Sequence, residues 1–502
     1  MGRLKNAAQR AVNAAWRATH SHKPQKRSFK SAQVSSLTSS WATQPKPIDV
    51  DIRNGLRKLR ARSRYEAQNN DYVRRFLSMV KTNVVGAPGI ILQSKVIDPH
   101  GKPDPIASAA IEAAWADWGR GGTADVTGRL SWKMIQRLYI ETMARDGEVI
   151  VRKVKGWKRN KYRFALQFID PEALDVELNR DLASGNTIRM GVELDAWRKP
   201  VAYHLLTGAS TADAYQHMGR NYQRIDAGEI IHQFLPEWCW QTRGVPWVST
   251  GLLRLNMLAG YEEAELVASR ASAAKFAVYE RKDEDAPAFN AGQVGEEQPD
   301  GTFAQDFESG TVGVTPDGYS LNLIDPQHPN SAYRDFIKAS LRGIAAGLGV
   351  TYNGLANDLE GVNYSSLRQG ALDERAVWMM LQDWMIESFC DHVYRDWLSV
   401  ALLAQAVKIN NTPLKDDRFE NYLNVSWQPR RWQWVDPLKE MMAHQAAFAH
   451  KIKTPQSVIR DMGQNPEDVL DEWKSWQAML DARDLKTDPI QLMEADNADE
   501  DD

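Results

Sequence analysis

Leu341-Arg342-Gly343-Ile344-Ala345-Ala346-Gly347-Leu348-Gly349-Val350 closes an apolar stripe of Tyr333, Ile337, Leu341, Ile344 and Leu348, spaced 4, 4, 3 and 4 residues apart. That spacing predicts a helix over 331–350 ending at Gly347 or Gly349. The clustered glycines also resemble a phosphate cradle, but a cradle needs a lysine beside its backbone amides, and this stretch has none. A helix end is the simpler reading.

Working outward, a second long helix is expected over 246–276. Pro246 suits a helix start, and only Gly251 and Gly260 oppose helix from Val248 to Phe276. Ala264, Ala268, Ala271 and Ala274 fall on or near one face, so another helix can approach closely, while Glu262, Glu263, Glu265 and Arg270 remain charged. Between the two helices, 277–330 carries eleven acids, ten of them from Glu280 to Asp317, against Arg281 and Lys282, with short strand-like pieces such as Thr311 to Val314. Two helices therefore flank an acidic projection. After them, 351–364 reads as a loop with Asn353, Asn357, Asp358, Glu360 and Asn363, no Lys or Arg, and Gly354 and Gly361 as flexible points. A longer helix follows, N-capped by Ser365 or Ser366, with a core stripe of Trp378, Leu381, Met385, Phe389, Val393, Trp397 and Val400.

Nearer the start, the folded region begins close to Arg53 with a helical stretch to Lys81, broken by Gly86-Ala87-Pro88-Gly89 before the strand-like Ile90-Ile91-Leu92. Helices are expected at about 105–118 and 130–145. From Gly147 the runs shorten to Glu148–Val154, Tyr162–Ile169, Ile188–Leu194, Val201–Leu206 and Glu229–Phe234, which predicts one small antiparallel sheet with hairpins. Near the end, Thr454-Pro455 and Asn465-Pro466 each put a capping side chain before an N1 proline, with Gly463 closing the first of two short helices. The fold class is α+β, predominantly helical.

Composition sets the outer bounds. The 502 residues, 43% hydrophobic and 25% charged, describe a folded protein, with about three units at roughly 150 residues per domain. Cys239 and Cys390 stand far apart, which excludes a disulfide scaffold and fits a reducing compartment. Mean hydropathy is −0.50 and no run approaches the roughly 18–20 apolar residues of a bilayer span, so no membrane partner is expected. The net charge of −3 hides an asymmetry: 1–65 holds fifteen Lys or Arg against Asp49 and Asp51, and 461–502 holds fourteen acids against Lys474, Arg483 and Lys486. The basic end, with a short helix on Leu4, Ala8, Val12 and Trp16 and an extended arm over 20–50, reads as a docking strip for nucleic acid or an acidic protein face. The acidic end reads as a solvated tail.

Catalytic constellations are missing. GxxxxGK[ST], GxSxG and HExxH do not occur. Asp146, Glu148 and Asp170 are candidate metal ligands, although carboxylates beside Gly147 more often cap or solvate a hairpin. His444 and His450 are six apart and make a poor ligand pair. No catalytic residue, metal or cofactor is assigned.

The opening stretch, followed by Asn357-Asp358 and Asn363-Tyr364-Ser365-Ser366-Leu367-Arg368, resembles the lambda-type family of tailed-phage portal proteins. Further similar blocks run in family order: Arg62-Ser63-Arg64 with Asn69-Asn70, Val84-Val85-Gly86, Arg145-Asp146-Gly147-Glu148, Arg243-Gly244-Val245-Pro246-Trp247, Tyr261-Glu262-Glu263-Ala264-Glu265-Leu266, and Trp434-Val435-Asp436-Pro437-Leu438-Lys439-Glu440. Trp238-Cys239-Trp240 departs from the family's Pro-Gly-type turn, and residues 1–50 and the acidic tail have no clear counterpart.

The resemblance implies a ring, typically of twelve subunits, at one capsid vertex, through which DNA enters during packaging and leaves on infection. It divides the chain into a basic, partly disordered arm (1–54), a wing (55–245), a first stem helix (246–276), a clip (277–330), a second stem helix (331–350), a tunnel loop (351–364), a long wing helix and return (365–429), a crown (430–481) and an acidic disordered tail (482–502). Implied partners are further copies of the chain, double-stranded DNA that slides without sequence preference, the terminase large subunit, a head–tail adaptor, and the major capsid and scaffolding proteins. The implied locations are the virion vertex and, during assembly, the host bacterial cytoplasm. Asn353, Asn357, Asp358, Glu360, Asn363 and Tyr364 would face the DNA, which a loop without Lys or Arg would meet with neutral or repulsive contact. Glu284, Asp285, Glu296, Glu297 and Asp300 would form the clip's docking face, and Ala264, Ala268, Ala271, Tyr333, Ile337 and Leu341 would pack the stem. The alternatives are a metal-dependent nuclease or capsid-maturation hydrolase using Asp146, Glu148 and Asp170, and a DNA-binding regulator using the basic arm.

Overall fold

The structure is a computed structural model that describes residues 44–207, 221–273, 332–432, 437–462 and 464–483, the backbone of four short strands between 277 and 323, and a few single residues before 44. The expected helix on Leu4 to Trp16, the strand-like Thr311 to Val314, Gly463 and the tail from 484 lie outside the described residues. Two units divide the chain between Asp51 and Ile52.

The helical run expected from Arg53 to Lys81 is two helices, α1 (Ile48–Asn69) and α2 (Asp71–Val80). Asn70 divides them because its extended backbone frees its side chain to accept from the N–H groups of Tyr72 and Val73. One wider turn over Lys81–Val85 prolongs α2 to Gly86. Strand β1 (Ile91–Ser94) then pairs antiparallel with Val425–Gln428, which ties the start of the folded chain to its far side. Helices α3 (Pro105–Trp118) and α4 (Trp132–Asp146) start where expected, capped by Asp104 and Ser131.

Two sheets follow where one was expected. β2 (Val149–Lys155) lies between β3 (Phe164–Ile169) and a later strand, Ile230–Gln233. A five-stranded antiparallel meander is formed by β4 (Arg180–Asp181), β5 (Thr187–Arg189), β6 (Val192–Leu194), β7 (Pro200–Leu206) and β8 (Tyr222–Asp226). The run Ile188–Leu194 is thus a hairpin turning at Met190-Gly191, both at positive φ. Its apolar pattern shows no gap because Met190 is itself buried in the turn. β4 and β8 left little apolar signal: both residues of β4 are exposed, and Ile225 is the one buried position of β8.

The larger core is aromatic. Trp115 lies 4.8 Å from Trp118, 5.2 Å from Trp132 and 5.0 Å from Trp397 between ring centroids, mostly tilted or edge-on, and Trp118 Nε1 donates to the Phe164 carbonyl at 3.0 Å. A smaller core of Ile150, Leu174, Val192, Leu194, Tyr203, Leu205, Ile225 and Ile230 joins the two sheets.

Helix α5 (Leu252–Ala273) begins six residues after Pro246, because Ser249 and Gly251 donate three residues back, to Pro246 and Val248, in tight turns. Helix α6 (Tyr333–Leu348) fulfils the opening stripe, and α7 (Tyr352–Ala356) is a single turn. The long helix runs as α8 (Tyr364–Met385), a wider turn over Ile386–Cys390, and α9 (Asp391–Leu403). Its expected stripe is buried from Trp378 to Trp397, with Val400 half-buried. Four successive steps of four residues would carry the stripe about 160° around an ideal helix; the extra residue in the wider turn takes back about 100°. Asn363, not a serine, caps α8, accepting from Ser366 N at 2.8 Å.

At the C-terminal end stand α10 (Pro437–Ala449), α11 (Pro455–Asp461) and α12 (Pro466–Asp481). Thr454 and Asn465 cap the last two as their sequence predicts.

Candidate functional site

The α5–α6 pair and the segment after it carry the opening stretch. Leu341, Ile344, Ala345 and Leu348 of α6 and Leu252, Leu255 and Leu258 of α5 are all buried in the larger core, and Tyr261 stacks on Tyr333 at 5.9 Å and meets Phe336 edge-on at 5.0 Å. α6 ends in a Schellman motif. Gly349, at φ +68°, donates to Ala346 O, and Val350 N reaches back to Ala345 O at 3.1 Å. At Gly343 the mobile end of the Arg254 side chain lies where a Cβ would stand, so α5 and α6 approach closely there.

The turn out of that motif delivers 351–364. Thr351 caps α7, and its N–H and hydroxyl both donate to Glu374 Oε2 on α8, at 3.1 and 2.6 Å. Gly354 is not a free hinge: its N–H donates to Thr351 Oγ1, and its carbonyl accepts from Arg75 Nε at 3.0 Å. Asn357 reverses the chain in the left-handed region at φ +52°. The two acids of the segment are matched from α6, since Lys338 Nζ lies 3.3 Å from Asp358 Oδ2 and Arg334 pairs with Glu360. Hydrogen bonds from the Tyr352 hydroxyl and the Glu360 N–H hold the Asp358 carboxyl at about 2. Cations four residues apart on α6 thus balance the acids of a segment that itself contains no Lys or Arg.

Asp146, Glu148 and Asp170 are neither hairpin caps nor a metal set. Glu148 is fully buried and accepts from Arg60 Nη2 at 2.8 Å, Arg243 Nε at 2.9 Å and Gly244 N at 3.0 Å, with His232 Nε2 3.0 Å away. Burial pushes its carboxyl up, but Arg243, His232 and Arg60 together hold it well below the ordinary carboxylate range. Arg243, also fully buried, donates further to the Leu174, Met190 and Pro171 carbonyls. Arg64 bridges Asp146 and Asp170, at 2.8 and 2.6 Å. Among the described residues no group of three or more His, Cys, Asp or Glu is arranged to hold a metal. Gly147, at φ +86°, and Gly244 meet where two backbones cross; a Cβ on either would strike the other's strand. The blocks Arg145-Asp146-Gly147-Glu148 and Arg243-Gly244-Val245-Pro246-Trp247 are thus the two halves of one lock.

The remaining assigned residues distribute as follows. Leu341 is buried, Tyr333, Ile337 and Ala268 are half-buried, and Ala264 is exposed, while Ala271 is described only by its backbone. Asn357, Glu360 and Asn363 are exposed and Asn353 and Asp358 half-buried; Tyr364 is described only as the first residue of α8. Glu296 and Glu297 pair in backbone register with Ala304 and Phe303, beside a second pairing of Ala277–Arg281 with Tyr319–Leu323. Glu284, Asp285 and Asp300 lie outside the described residues. Sequence reasoning missed Arg334, Lys338, Arg75 and Glu374, of which only the i,i+4 pair of cations left a signal.

Comparison with known proteins finds a matching family, two phage relatives and a solved structure. The family described as phage portal protein, lambda family, matches residues 35–382, a span that includes the lock, α5, α6 and the 351–364 segment. A probable portal protein of Halomonas phage phiHAP-1 is 35% identical over 450 residues, covering 89% of this chain and 85% of that protein. Portal protein B of Escherichia phage lambda is 22% identical over 393 residues, 74% of this chain and 73% of its own length. A chain solved in the neck of an empty GTA particle computed with C6 symmetry superposes with a TM-score of 0.41 and 14% identity, over 86% of this chain and 98% of that one. On the family match and these relatives, the chain belongs to the lambda family of phage portal proteins.

Proposed function

We propose that identical copies of this portal protein, twelve in the arrangement the family implies, close into a ring whose axial hole carries double-stranded DNA into the capsid and out again. The chain has a structural rather than a catalytic role in this reading. The observation that carries it is the family match, which runs unbroken through α5, the acidic projection, α6 and the 351–364 segment. A second feature supports assembly: Leu253, Met257 and Val267 are exposed along one face of α5, an apolar strip that a lone subunit leaves in water. Among the described residues no helix is long and apolar enough to cross a membrane.

Within the ring, α5 and α6 act as the stem, 277–330 as the clip, 351–364 as the tunnel loop and 430–481 as the crown. The loop's acids are balanced by Arg334 and Lys338, so it offers DNA a near-neutral wall, and few phosphates are neutralised to slow sliding. The acidic clip favours rapid, exchangeable association with basic faces of the terminase large subunit and of a head–tail adaptor. Major capsid and scaffolding proteins surround the ring as it assembles in the host cytoplasm. Sedimentation of the purified chain tests the reading: a discrete ring-sized species supports it, and a monomer or dimer at high concentration rejects it.

A further inference from the structure

The hairpin joining β2 to β3 carries a concentration of charge that the portal role leaves unused. From Arg152 to Arg163 it holds seven cations, Arg152, Lys153, Lys155, Lys158, Arg159, Lys161 and Arg163, and no acid. Four are paired: Arg152 with Glu229, Lys153 and Lys155 with Asp396, and Lys161 with Asp117. Lys158, Arg159 and Arg163 are exposed, with no acid paired to them among the described residues. The tip is held in one shape. Trp157 N donates to Arg163 O at 2.9 Å, and Asn160 Nδ2 donates to Thr123 O and Phe164 O at 2.9 and 2.8 Å. The Arg159 guanidinium sits over the Trp157 ring at 5.4 Å. Like charges fixed side by side repel, so an unoccupied tip of this kind is electrostatically unfavourable and an anion that spans it is preorganised for.

We propose that this hairpin is a docking surface for the chain's own acidic C-terminal segment, 484–502. That segment has eight acids against Lys486 alone. It is also tethered within reach. The Glu112 side chain, which accepts from Ser94 N at 2.7 Å, is close enough to Asp468 and Glu467 to interact with them electrostatically, so the start of α12 stands near the middle of α3. The end of α3 touches the hairpin, where Asp117 meets Lys161 Nζ at 2.8 Å and the Tyr162 hydroxyl at 2.9 Å. From Glu112 to Asp117 is about 8 Å of helix and α12 is about 24 Å long. Nineteen residues from 484 to 502 span up to about 63 Å when extended, more than the two rigid stretches together. Docked there, the tail would hold the hairpin against other polyanions, DNA included.

Carbodiimide treatment of the full chain tests this, because it joins a lysine amine to a carboxylate only in direct contact. Peptide mapping should find links from Lys155, Lys158 or Lys161 to acids in 484–502. They should disappear at about 1 M salt, where the Debye length falls to about 3 Å. They should also disappear in R159E/R163E, which reverses the field and leaves all three lysines reactive, with the melting midpoint unchanged. Absent links in the parent, or links indifferent to R159E/R163E, overturn the proposal. So does retention of duplex DNA on a filter that depends on Arg159 and Arg163 but not on deletion of 484–502, which would assign the surface to nucleic acid.

Discussion

Replacing Arg243 by methionine keeps most of the side-chain volume and removes the guanidinium at the centre of the lock. Glu148 loses a two-pronged partner, and the Leu174, Met190 and Pro171 carbonyls lose their donor. Breaking one side of a buried ion pair costs about 3–5 kcal/mol. Arg60, His232 and Gly244 N still hold Glu148, so a loss of about 4 kcal/mol is expected rather than the sum of all lost bonds. The shift in melting midpoint depends on how much of the chain melts with the lock. At about 2.1 cal/mol/K per residue, a cooperative unit of roughly 450 residues would fall by about 4 °C, and a separately melting sheet region of roughly 100 residues by about 20 °C. Scanning calorimetry of parent and variant reads both the shift and the size of the unit. A variant melting within about 1 °C of the parent would refute the claim that this ion network, rather than apolar packing alone, joins α1, α4 and the two sheets.

Further outcomes follow from the same geometry. The folded Glu148 carboxyl lies below its ordinary value, so its contribution to stability is present above the unfolded value of about 4.3 and is lost as pH falls through the folded one. Melting curves of parent and Glu148→Gln should therefore converge on acidification, and a constant gap down to low pH contradicts this. Gly244→Ala places a methyl against the Gly147 backbone and should leave the protein insoluble or deeply destabilised, whereas Gly156→Ala, with open space around it, should cost no more than about 1–2 kcal/mol for its positive φ; equal effects in a solubility and melting comparison reject the crossing. Arg334→Gln with Lys338→Gln uncovers Asp358 and Glu360, and packaging assays should show altered DNA retention with ring formation intact; loss of the ring would make the pairs structural. Charge reversal at Glu296, Glu297 and Asp300 should weaken motor or adaptor binding in a salt-sensitive way, and unchanged binding would reject an electrostatic clip.

What the chain revealed in advance was periodic. The α6 stripe, the core of the long helix and the caps Thr454 and Asn465 were readable because each is written in residues a few positions apart. Even there the cap of α8 is ambiguous in sequence: Ser365 and Ser366 are suitable residue types, but Asn363 has the extended backbone that a cap requires. Sheets were harder. Met190, buried in a turn, disguised a hairpin as one strand, and the polar edge strand β8 carried little pattern to find. The lock was out of reach of local reading, since Arg60, Glu148 and Arg243 are brought together from distant segments. Its two glycines could be seen but not interpreted, because the reason for each is the other.

Imaging of purified assemblies at side-chain resolution bears most directly on the central claim. The expected result is a closed ring with an open axial channel wide enough for a duplex, with 351–364 on its inner wall and Arg334 and Lys338 turned toward the loop's own acids. A channel lined by unpaired cations, a plugged centre, or 351–364 on the outer surface would contradict it.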